Sequence, residues 1–460
     1  MKDRIVFIGA GVGNMTAVIE LLQNGYPGEL ITIIEQGTDL NNRDLRDVLS
    51  SSPGSSAVSD NKIIFSEFLD KPMNQFLGLD KVREYYKKYQ DLVTKFHPNP
   101  KLIDVYEPKE TDMKALCNAS NSKQEWKNDL KAMNSLVWHV GSKMGVLSGI
   151  NIEKYIRSKG VNFKVKTEVI DVDFDKKIVY TNPRGFVQKY SDKTEYSYDK
   201  LVIAPGKSAK RFFTSIWEKV GIKAIKDNYE VGVRFEIPYN EDVQKVIDET
   251  SYDFKFTKIY PNGDKIRTFC ACSLSAYIKS ETFTLTDKNG KTYKYVGPNG
   301  IGHGTSDEFK DLFTYTTNFG IIVNKKTTED IITKIIENLN RKTVMYEGRD
   351  CNFKSAYEDY DKVTRITFEE FLKAYGDVGI YIKDMIEQIK PIFKFGENYR
   401  FIGLEFKDSA PTFLPNLNKD MSVKGHENVF CYGDILGGGV VGITPAILGA
   451  YRFTESILKN

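Results

Sequence analysis

Cysteine is scarce in this sequence. The 460 residues contain five cysteines, an odd number, scattered from Cys117 to Cys431. Domains that disulfides hold together carry denser, even-numbered sets, so we expect reduced thiols and no disulfide framework. No pair of cysteines or histidines has the spacing of a metal site either, and no metal is expected.

Long hydrophobic runs are missing as well. No apolar run approaches the length of about 20 residues that a membrane-spanning helix needs. Met1–Arg4 lead directly into a short apolar strand, without the longer apolar core and small-residue cleavage site of a secretory signal. We therefore expect no membrane partner and a cytoplasmic location.

A surplus of one charge is also absent. The chain has 65 basic and 62 acidic residues and a net charge of +3, which gives no overall attraction to nucleic acid. Hydrophobic residues make up 41% and charged residues 28%. This balance is typical of a globular chain, and the length suffices for two or three domains.

The N-terminal segment has the order strand, glycine loop, helix, strand and acid. Ile5–Ile8 is a continuous apolar run of strand length, and the loop Gly9–Asn14 (GAGVGN) follows it. Apolar residues then recur at helical spacing, and a second apolar run, Leu30–Ile34, ends at Glu35. This order of elements along the chain predicts the βαβ unit of a Rossmann dinucleotide fold.

The residues of this unit have predicted binding roles. Backbone N–H groups at a helix start bind a pyrophosphate when no Cβ blocks its approach. Gly9 provides the tight turn and Gly11 the close approach. Asn14 takes the place of the usual third glycine, and Gly13 beside it lets the turn adjust. Glu35 lies at the distance where an acid binds the ribose hydroxyls.

A second glycine-rich turn lies near the other end of the chain. The apolar run Val429–Tyr432 leads into Gly433-Asp434, and a helix begins near Gly442 and Ile443. Asp434 is placed to accept a hydrogen bond from a ribityl hydroxyl. The helix start is placed to face the flavin pyrimidine, where its partial positive charge stabilises the anionic reduced ring. Together the two motifs predict bound FAD.

A third strand supports this prediction. Leu201–Ala204 is a buried-strand candidate that ends at Pro205-Gly206, and we expect Gly206 to pass near the cofactor.

From about 221 to 400 the sequence alternates like β-strands and is rich in Thr, Tyr and Phe. The predicted fold is α/β: a Rossmann-like FAD-binding domain of the glutathione-reductase type, discontinuous in sequence, with an inserted β-rich α+β substrate domain. The expected bounds are 1–220, with a helical excursion at about 80–135, then 221–400 for the substrate domain and 401–460.

Several further segments resemble one known family. The sequence is similar to the FAD-dependent dehydrogenases usually labelled "NAD-utilizing dehydrogenase". The matching blocks run in family order: Gly54–Lys62, His139–Ser142, Gly206–Ala209, Val231–Glu236, Arg267–Cys272, and Glu405 with Ser409, Ala410 and Pro411. The resemblance implies an FAD site and a two-domain flavoprotein fold. It also implies that Ser59 and Lys62, with Asp60, contact the flavin through the first of these loops; the alternative for Asp60 and Lys62 is an exposed turn.

The predicted substrate domain contains the candidate catalytic residues. Cys270 and Cys272 would share one face of a strand and act either as a redox pair or, the favoured interpretation, as packing or substrate-lining groups. Arg267, like Arg234, either binds an anionic substrate or forms an ion pair. His303, in a glycine-rich loop, is a candidate acid–base group, as is His139, which lies outside the predicted substrate domain.

The sequence therefore predicts an FAD-dependent oxidoreductase acting on an unidentified organic substrate bound between the two domains. No second strand–glycine loop–helix unit follows, so either NAD(P)H docks transiently at the flavin or the substrate itself reduces it. One alternative is a flavoprotein that modifies a nucleic acid such as a tRNA base, with the charged 80–135 segment as contact surface. Another is a non-catalytic flavin-binding scaffold.

Overall fold

Short runs of Ile, Val and Leu form the centre of a parallel sheet. In the computed structural model each of these runs is a strand of four residues bounded by a turn or a helix, as expected for strands buried on both faces. The structure describes residues 2–43, 51–67, 69–107, 130–133, 135–184, 193–206, 209–222, 229–286, 292–305, 307–325, 329–408, 413–438 and 442–459. Lys207 and Ser208, and Ser409, Ala410 and Pro411 of the family resemblance, lie outside these ranges.

The helices of the described residues are α1 (Val12–Gln23), α2 (Lys71–Leu77), α3 (Leu79–Phe96), α4 (Ser142–Ser158), α5 (Lys210–Glu218), α6 (Glu241–Glu249), α7 (Glu329–Asn338), α8 (Phe368–Tyr375), α9 (Asp377–Phe393) and α10 (Ile443–Leu458). Among these residues, none of the helices combines the length and the apolar character that crossing a lipid bilayer requires.

The first strands are β1 (Ile5–Ile8), β2 (Ile31–Ile34), β3 (Lys62–Phe65), β4 (Asp104–Tyr106), β5 (Lys131–Met133), β6 (Leu136–His139), β7 (Asn162–Lys164), β8 (Thr167–Asp173), β9 (Ile178–Pro183), β10 (Thr194–Ser197) and β11 (Lys200–Ile203). The others are β12 (Tyr229–Pro238), β13 (Lys255–Ile259), β14 (Lys265–Leu274), β15 (Ala276–Thr286), β16 (Thr292–Gly302), β17 (Thr316–Asn324), β18 (Val344–Glu347), β19 (Thr364–Arg365), β20 (Arg400–Asp408), β21 (Ser422–Val423) and β22 (His426–Cys431).

The first of two compact units comprises Met1–Pro100, Ser142–Lys226 and Ala410–Asn460. Its main sheet has the strand order β21-β22-β11-β1-β2-β7, and β1 lies parallel to both β2 and β11. Helix α1 packs along α10, so the two ends of the chain meet in one core. A smaller antiparallel sheet, β10-β9-β8, completes this unit.

The second unit comprises Lys101–Gly141 and Asp227–Ser409. Its main sheet has the order β19-β18-β20-β12-β17-β14-β13-β5 and is largely antiparallel. Strands β15 and β16 form a long separate hairpin. Helix α9 packs on the main sheet, where Phe393 contacts Phe254 and Phe319 in an aromatic core.

The bounds of the units differ from the expected domain bounds in two places. Strand β20 pairs with β12 and β18, so the second unit runs on to Ser409 instead of ending at 400. In the predicted helical excursion at 80–135, α3 ends at Phe96, and the segment from Lys101 on belongs to the second unit and contains β4 and β5. Residues 108–129 of that segment lie outside the described ranges.

Candidate cofactor site

Two of the predicted strand ends approach each other closely at Gly9. Gly9 follows β1 and has φ +92°, in the left-handed region that favours glycine. A Cβ at this position would lie 2.7 Å from the Cα of Pro205 and 3.0 Å from the carbonyl oxygen of Ala204. The turn after β1 therefore needs glycine both for its conformation and for its contact with the end of β11.

Gly11 is different, because a Cβ there would meet no atom within 4 Å. Gly11 is the N-cap residue of α1, with φ −73°, a conformation that any residue adopts. The space beside it is open, so glycine at this position leaves room for a ligand at the start of α1. Backbone N–H groups at such a helix start bind phosphate.

Asn14, in the first turn of α1, replaces the usual third glycine by fastening helix to strand. Its side-chain amide donates hydrogen bonds to the backbone carbonyls of Ile8 (3.0 Å) and Gly9 (2.8 Å), and the residue is 1% exposed. Asn14 does not line the cavity described below. Its side chain thus holds the loop, and its role as a cofactor contact stays a prediction.

Glu35 organises three separate segments with one carboxylate. Oε2 accepts a hydrogen bond from the N–H of Ala10 (2.9 Å), and Oε1 accepts from the N–H groups of Gly37 (2.7 Å) and Ser51 (3.1 Å). Oε2 therefore has one acceptor position beyond these bonds. A ribose hydroxyl placed there would bind a carboxylate that the protein already holds rigidly.

The C-terminal glycine turn is closed by Asp434. Its Oδ1 accepts a hydrogen bond from the N–H of Gly442 at 2.6 Å, and Gly442, with φ +111°, is the N-cap residue of α10. The carboxylate thus connects the end of β22 to the start of α10. One of the first orphan N–H groups of the helix is satisfied by this bond.

Both motifs line one cavity of about 390 Å³ in the first unit, a volume in the usual range for cofactor sites. Of the predicted cofactor-binding residues, the lining includes Gly9, Gly11, Gly13, Glu35, Ser59, Gly206, Asp434, Gly442 and Ile443. The ends of the chain therefore converge on one site. The sheet carries this site at the carboxyl ends of its strands, as expected for parallel α/β sheets.

Part of the lining was not predicted from the sequence. Thr167–Val169 at the start of β8, and Arg211 and Phe212 at the start of α5, line the cavity, as does Tyr432. Only Tyr432 had a local signal, since it directly precedes Gly433. Residues of β8 and α5 lie at the site because of tertiary packing, which no local sequence pattern indicates.

The chemistry of the lining fits a dinucleotide. Arg211 is the one cationic side chain among the described lining residues, against the carboxylates of Glu35, Glu168 and Asp434. A diphosphate would therefore rely on the N–H groups at the start of α1. Tyr432 is fully buried, and its hydroxyl has no hydrogen-bond partner among the described residues. A buried hydroxyl of this kind needs a partner, either a polar ligand or an ordered water molecule.

Lys62 forms a buried ion pair. Its Nζ pairs with Oδ2 of Asp60 at 2.7 Å, and both side chains are less than a tenth exposed. Neither residue lines the cavity, whereas Ser59 and Gly54–Ser56 of the same loop do. Lys62 and Asp60 thus form a buried ion pair in this loop, and the contact of Lys62 with the flavin stays a prediction.

The predicted catalytic residues all belong to the second unit, and none is among the described residues lining the cavity. Arg267 forms an ion pair with Glu230 through two nitrogen atoms, which matches the ion-pair alternative. The N–H of His303 donates to Oγ of Ser275 at 3.0 Å. The ring of His303 packs edge-on against Tyr277.

The two cysteines do not share a strand face in the way the alternation predicts. Cys270 has φ +51°, and the pairing of β14 with β17 shifts between Phe269 and Cys272. This β-bulge breaks the period of two. Neither cysteine forms a disulfide with another described residue, and Cys272 is fully buried. The guanidinium of Arg234 donates to the carbonyl of Cys270 at 2.7 Å.

The fold and the cavity define a dinucleotide-binding flavoprotein with a Rossmann-like FAD-binding unit, as predicted. The model of the pyridine nucleotide-disulphide oxidoreductase family matches residues 3–234, about half of the chain. The chain belongs to this family and is an FAD-dependent oxidoreductase.

Solved structures add only distant similarity. The chain resembles CmlS, a flavin-dependent halogenase (11% identity, 100% of this chain and 58% of that chain, TM-score 0.41). It also resembles an L-amino acid deaminase from Proteus myxofaciens (12%, 99% and 90%, TM-score 0.38) and glycine oxidase from Bacillus cereus (11%, 99% and 95%, TM-score 0.35). The chain thus spans less than two thirds of the halogenase. No curated protein matches the sequence.

Proposed function

We propose that the protein is an FAD-dependent reductase of a small organic substrate, with NAD(P)H as a transient electron donor. One observation carries the proposal: two glycine turns and two helix starts, α1 and α10, line the same cavity. The description of the family names a pyridine nucleotide, which favours NAD(P)H over direct reduction by the organic substrate.

The residues of the cavity have distinct tasks in this proposal. When bound, FAD supplies two-electron transfer, and the protein supplies binding, orientation and electrostatics. Gly11 and the N–H groups of α1 hold the diphosphate. Glu35 orients the adenosine ribose, and Asp434 accepts a ribityl hydroxyl. The partial positive charge at the start of α10 stabilises negative charge in the cavity.

The proposal does not include a cysteine pair that passes electrons from the flavin to a disulfide substrate. The first unit contains a single cysteine, Cys431, which is fully buried and has a pKa raised well above its ordinary value by that burial. Cys270 lies within a β-bulge and Cys272 directly after it, and neither forms a disulfide with another described residue; a disulfide between residues so close in sequence is strained. The acid–base candidate that stays in the proposal is His303.

Anaerobic mixing tests the proposal directly. We expect a yellow protein whose chromophore, released by denaturation, is FAD, and which bleaches with NADH or NADPH. Asp434→Ala should bind FAD at least tenfold more weakly, whereas Asp377→Asn, an exposed change in the second unit, should bind it normally. A Cys270→Ser, Cys272→Ser double variant should still bleach. A colourless protein that takes up no added FAD would refute the proposal. Loss of bleaching in the double variant would refute the claim that Cys270 and Cys272 are not needed.

A further inference from the structure

The main sheet of the second unit has two different faces. Phe319 of β17 contacts Phe393 of α9, so α9 covers the face to which Phe319 points. Successive side chains of a strand point to opposite faces, and Gly320 and Ile322 of β17 therefore belong to the second face. Arg267 of β14 lies directly across from Ile322 and shares this second face.

Charged side chains collect at one end of the second face. Lys265 lies opposite Asn324 of β17, and Asn324 lies opposite Glu230 of β12. Glu230 in turn lies opposite Lys407 of β20. The register thus brings charged residues together on four neighbouring strands. We call this set, Lys265, Arg267, Lys407 and Glu230, the basic cluster.

The basic cluster has more positive than negative charge. Arg267 pairs with Glu230 through two nitrogen atoms. Burial raises the pKa of Glu230, but the charges of Arg267 and Lys407 bring it below its ordinary value, so this carboxylate is ionised. Further along the same face Arg234 pairs with Glu405 at 3.6 Å, which offsets those two charges. Three positive charges and one negative charge leave the basic cluster with a net charge of +2.

The charged groups of the basic cluster are sheltered from water. The side chain of Arg267 is 18% exposed and that of Glu230 is 8% exposed, and Lys265 and Lys407 are half-buried. Among the described residues, no carboxylate forms an ion pair with Lys265. Burial and the nearby charge of Arg267 lower the pKa of Lys265. Partly desolvated cations that outnumber their carboxylate attract an additional anion.

An aromatic ring lies among these cations. Phe269 follows Arg267 by two residues and lies opposite Gly320, where a Cβ would collide with the ring of Phe269. The guanidinium of Arg267 lies 5.3 Å from the centre of this ring, and Nζ of Lys407 lies 5.7 Å from it. Phe269 is half-buried. Positive charge and an apolar surface are therefore present side by side.

We propose, on the basis of the FAD-dependent function above, that the basic cluster and Phe269 bind the organic substrate, and that this substrate is a carboxylic acid with an apolar body. Lys265 and Lys407 supply the positive charge that attracts the carboxylate, and the ring of Phe269 packs against the apolar body. Arg267 stays paired with Glu230 and holds the cluster together. A few polar groups beside an apolar surface are the usual composition of a small-molecule site.

Isothermal titration calorimetry of the FAD-loaded protein with three probes tests the proposal. Benzoate has both a carboxylate and an apolar body, whereas benzamide lacks the charge and acetate lacks the ring. We expect benzoate to bind about tenfold more tightly than either of the others. Added sodium chloride should weaken the binding of benzoate but not that of benzamide, because salt screens partly exposed charges.

Variants locate the binding of benzoate on the chain. Lys265→Gln and Lys407→Gln should each weaken benzoate by about fivefold and leave benzamide unchanged. Lys294→Gln, which removes the same charge from an exposed position of β16, should bind benzoate like the wild type. Phe269→Ala should reduce the preference for benzoate over acetate.

The outcomes separate this inference from the proposed function. The inference fails if benzoate shows no saturable binding, if it binds no better than benzamide, or if both lysine variants bind it like the wild type. In each of these cases a protein that holds FAD and bleaches with NADH or NADPH leaves the proposed function intact. A wild-type protein that binds no FAD would instead overturn the proposed function.

Discussion

Asn14 donates a hydrogen bond of 2.8 Å to the backbone carbonyl of Gly9, five residues earlier in the chain. The same amide also reaches the carbonyl of Ile8, so one side chain closes the loop between β1 and α1. A glycine at position 14 would allow close packing but would supply neither bond. The departure from the usual glycine pattern is thus compensated by specific contacts.

Replacing Asn14 is therefore expected to destabilise the protein. Asn14→Ala leaves two carbonyls without their side-chain partner in a buried region, and the free energy of unfolding should fall by about 2 kcal/mol. Asn14→Gly should be no better, since it removes the same bonds and adds backbone freedom. Denaturant titration measures both values. Asn24→Ala, at the exposed end of α1, serves as control; an Asn14→Gly protein as stable as the wild type would contradict the assigned role.

Gly9 and Gly11 are expected to respond differently to a single methyl group. Gly9→Ala forces a side chain into a left-handed turn against Pro205 and should lower stability by at least about 1 kcal/mol. Gly11→Ala meets no protein atom and should leave stability unchanged, yet its methyl group points into space that the cofactor needs.

The measurements for this pair are thermal unfolding without FAD and FAD affinity by fluorescence titration. We expect Gly11→Ala to unfold like the wild type and to bind FAD at least tenfold more weakly. Normal FAD binding by Gly11→Ala would show that the diphosphate does not approach the start of α1.

Stability should also depend on pH through Glu405 in β20. Burial raises the pKa of this carboxyl to about 7, and Arg234, whose guanidinium lies 3.6 Å away, lowers it only in part. The folded state therefore binds a proton more tightly than the unfolded chain. The stability that this provides is complete below pH 4.5, the ordinary value, and is lost as pH rises toward 7.

The loss should be on the order of 3 kcal/mol in the free energy of unfolding of the second unit, since each unit of pKa difference corresponds to about 1.4 kcal/mol. Unfolding measured between pH 4.5 and 8 should show this decline in the wild type and in the exposed control Glu195→Gln. Glu405→Gln should have a flatter profile. An equally steep profile in Glu405→Gln would exclude Glu405 as its source.

Local patterns predicted the parts of the site that local physics determines. The order strand, glycine turn, helix and acid requires only neighbouring residues, and the structure contains it as predicted from Ile5 to Glu35. The turn at Asp434 is equally local. The FAD-binding fold predicted from these two motifs is confirmed by the family match.

Other features depend on pairings between distant segments. The bulge at Cys270 exists because β14 pairs with β17, and the ion pair of Arg267 depends on Glu230 in another strand. The part of the cavity formed by β8 and α5 has no glycine turn to mark it in the sequence. Such features depend on which distant strands and side chains pair in the folded protein. The alternation of apolar and polar residues and the composition of the sequence do not specify these pairings.

The convergence of Gly9 and Asp434 on one cavity has a consequence for biosynthesis. A ribosome adds roughly 5–20 residues per second, so the N-terminal half of the cleft exists for tens of seconds before the segment that completes it has been made. The complete cleft therefore exists only after almost the whole chain has been synthesised.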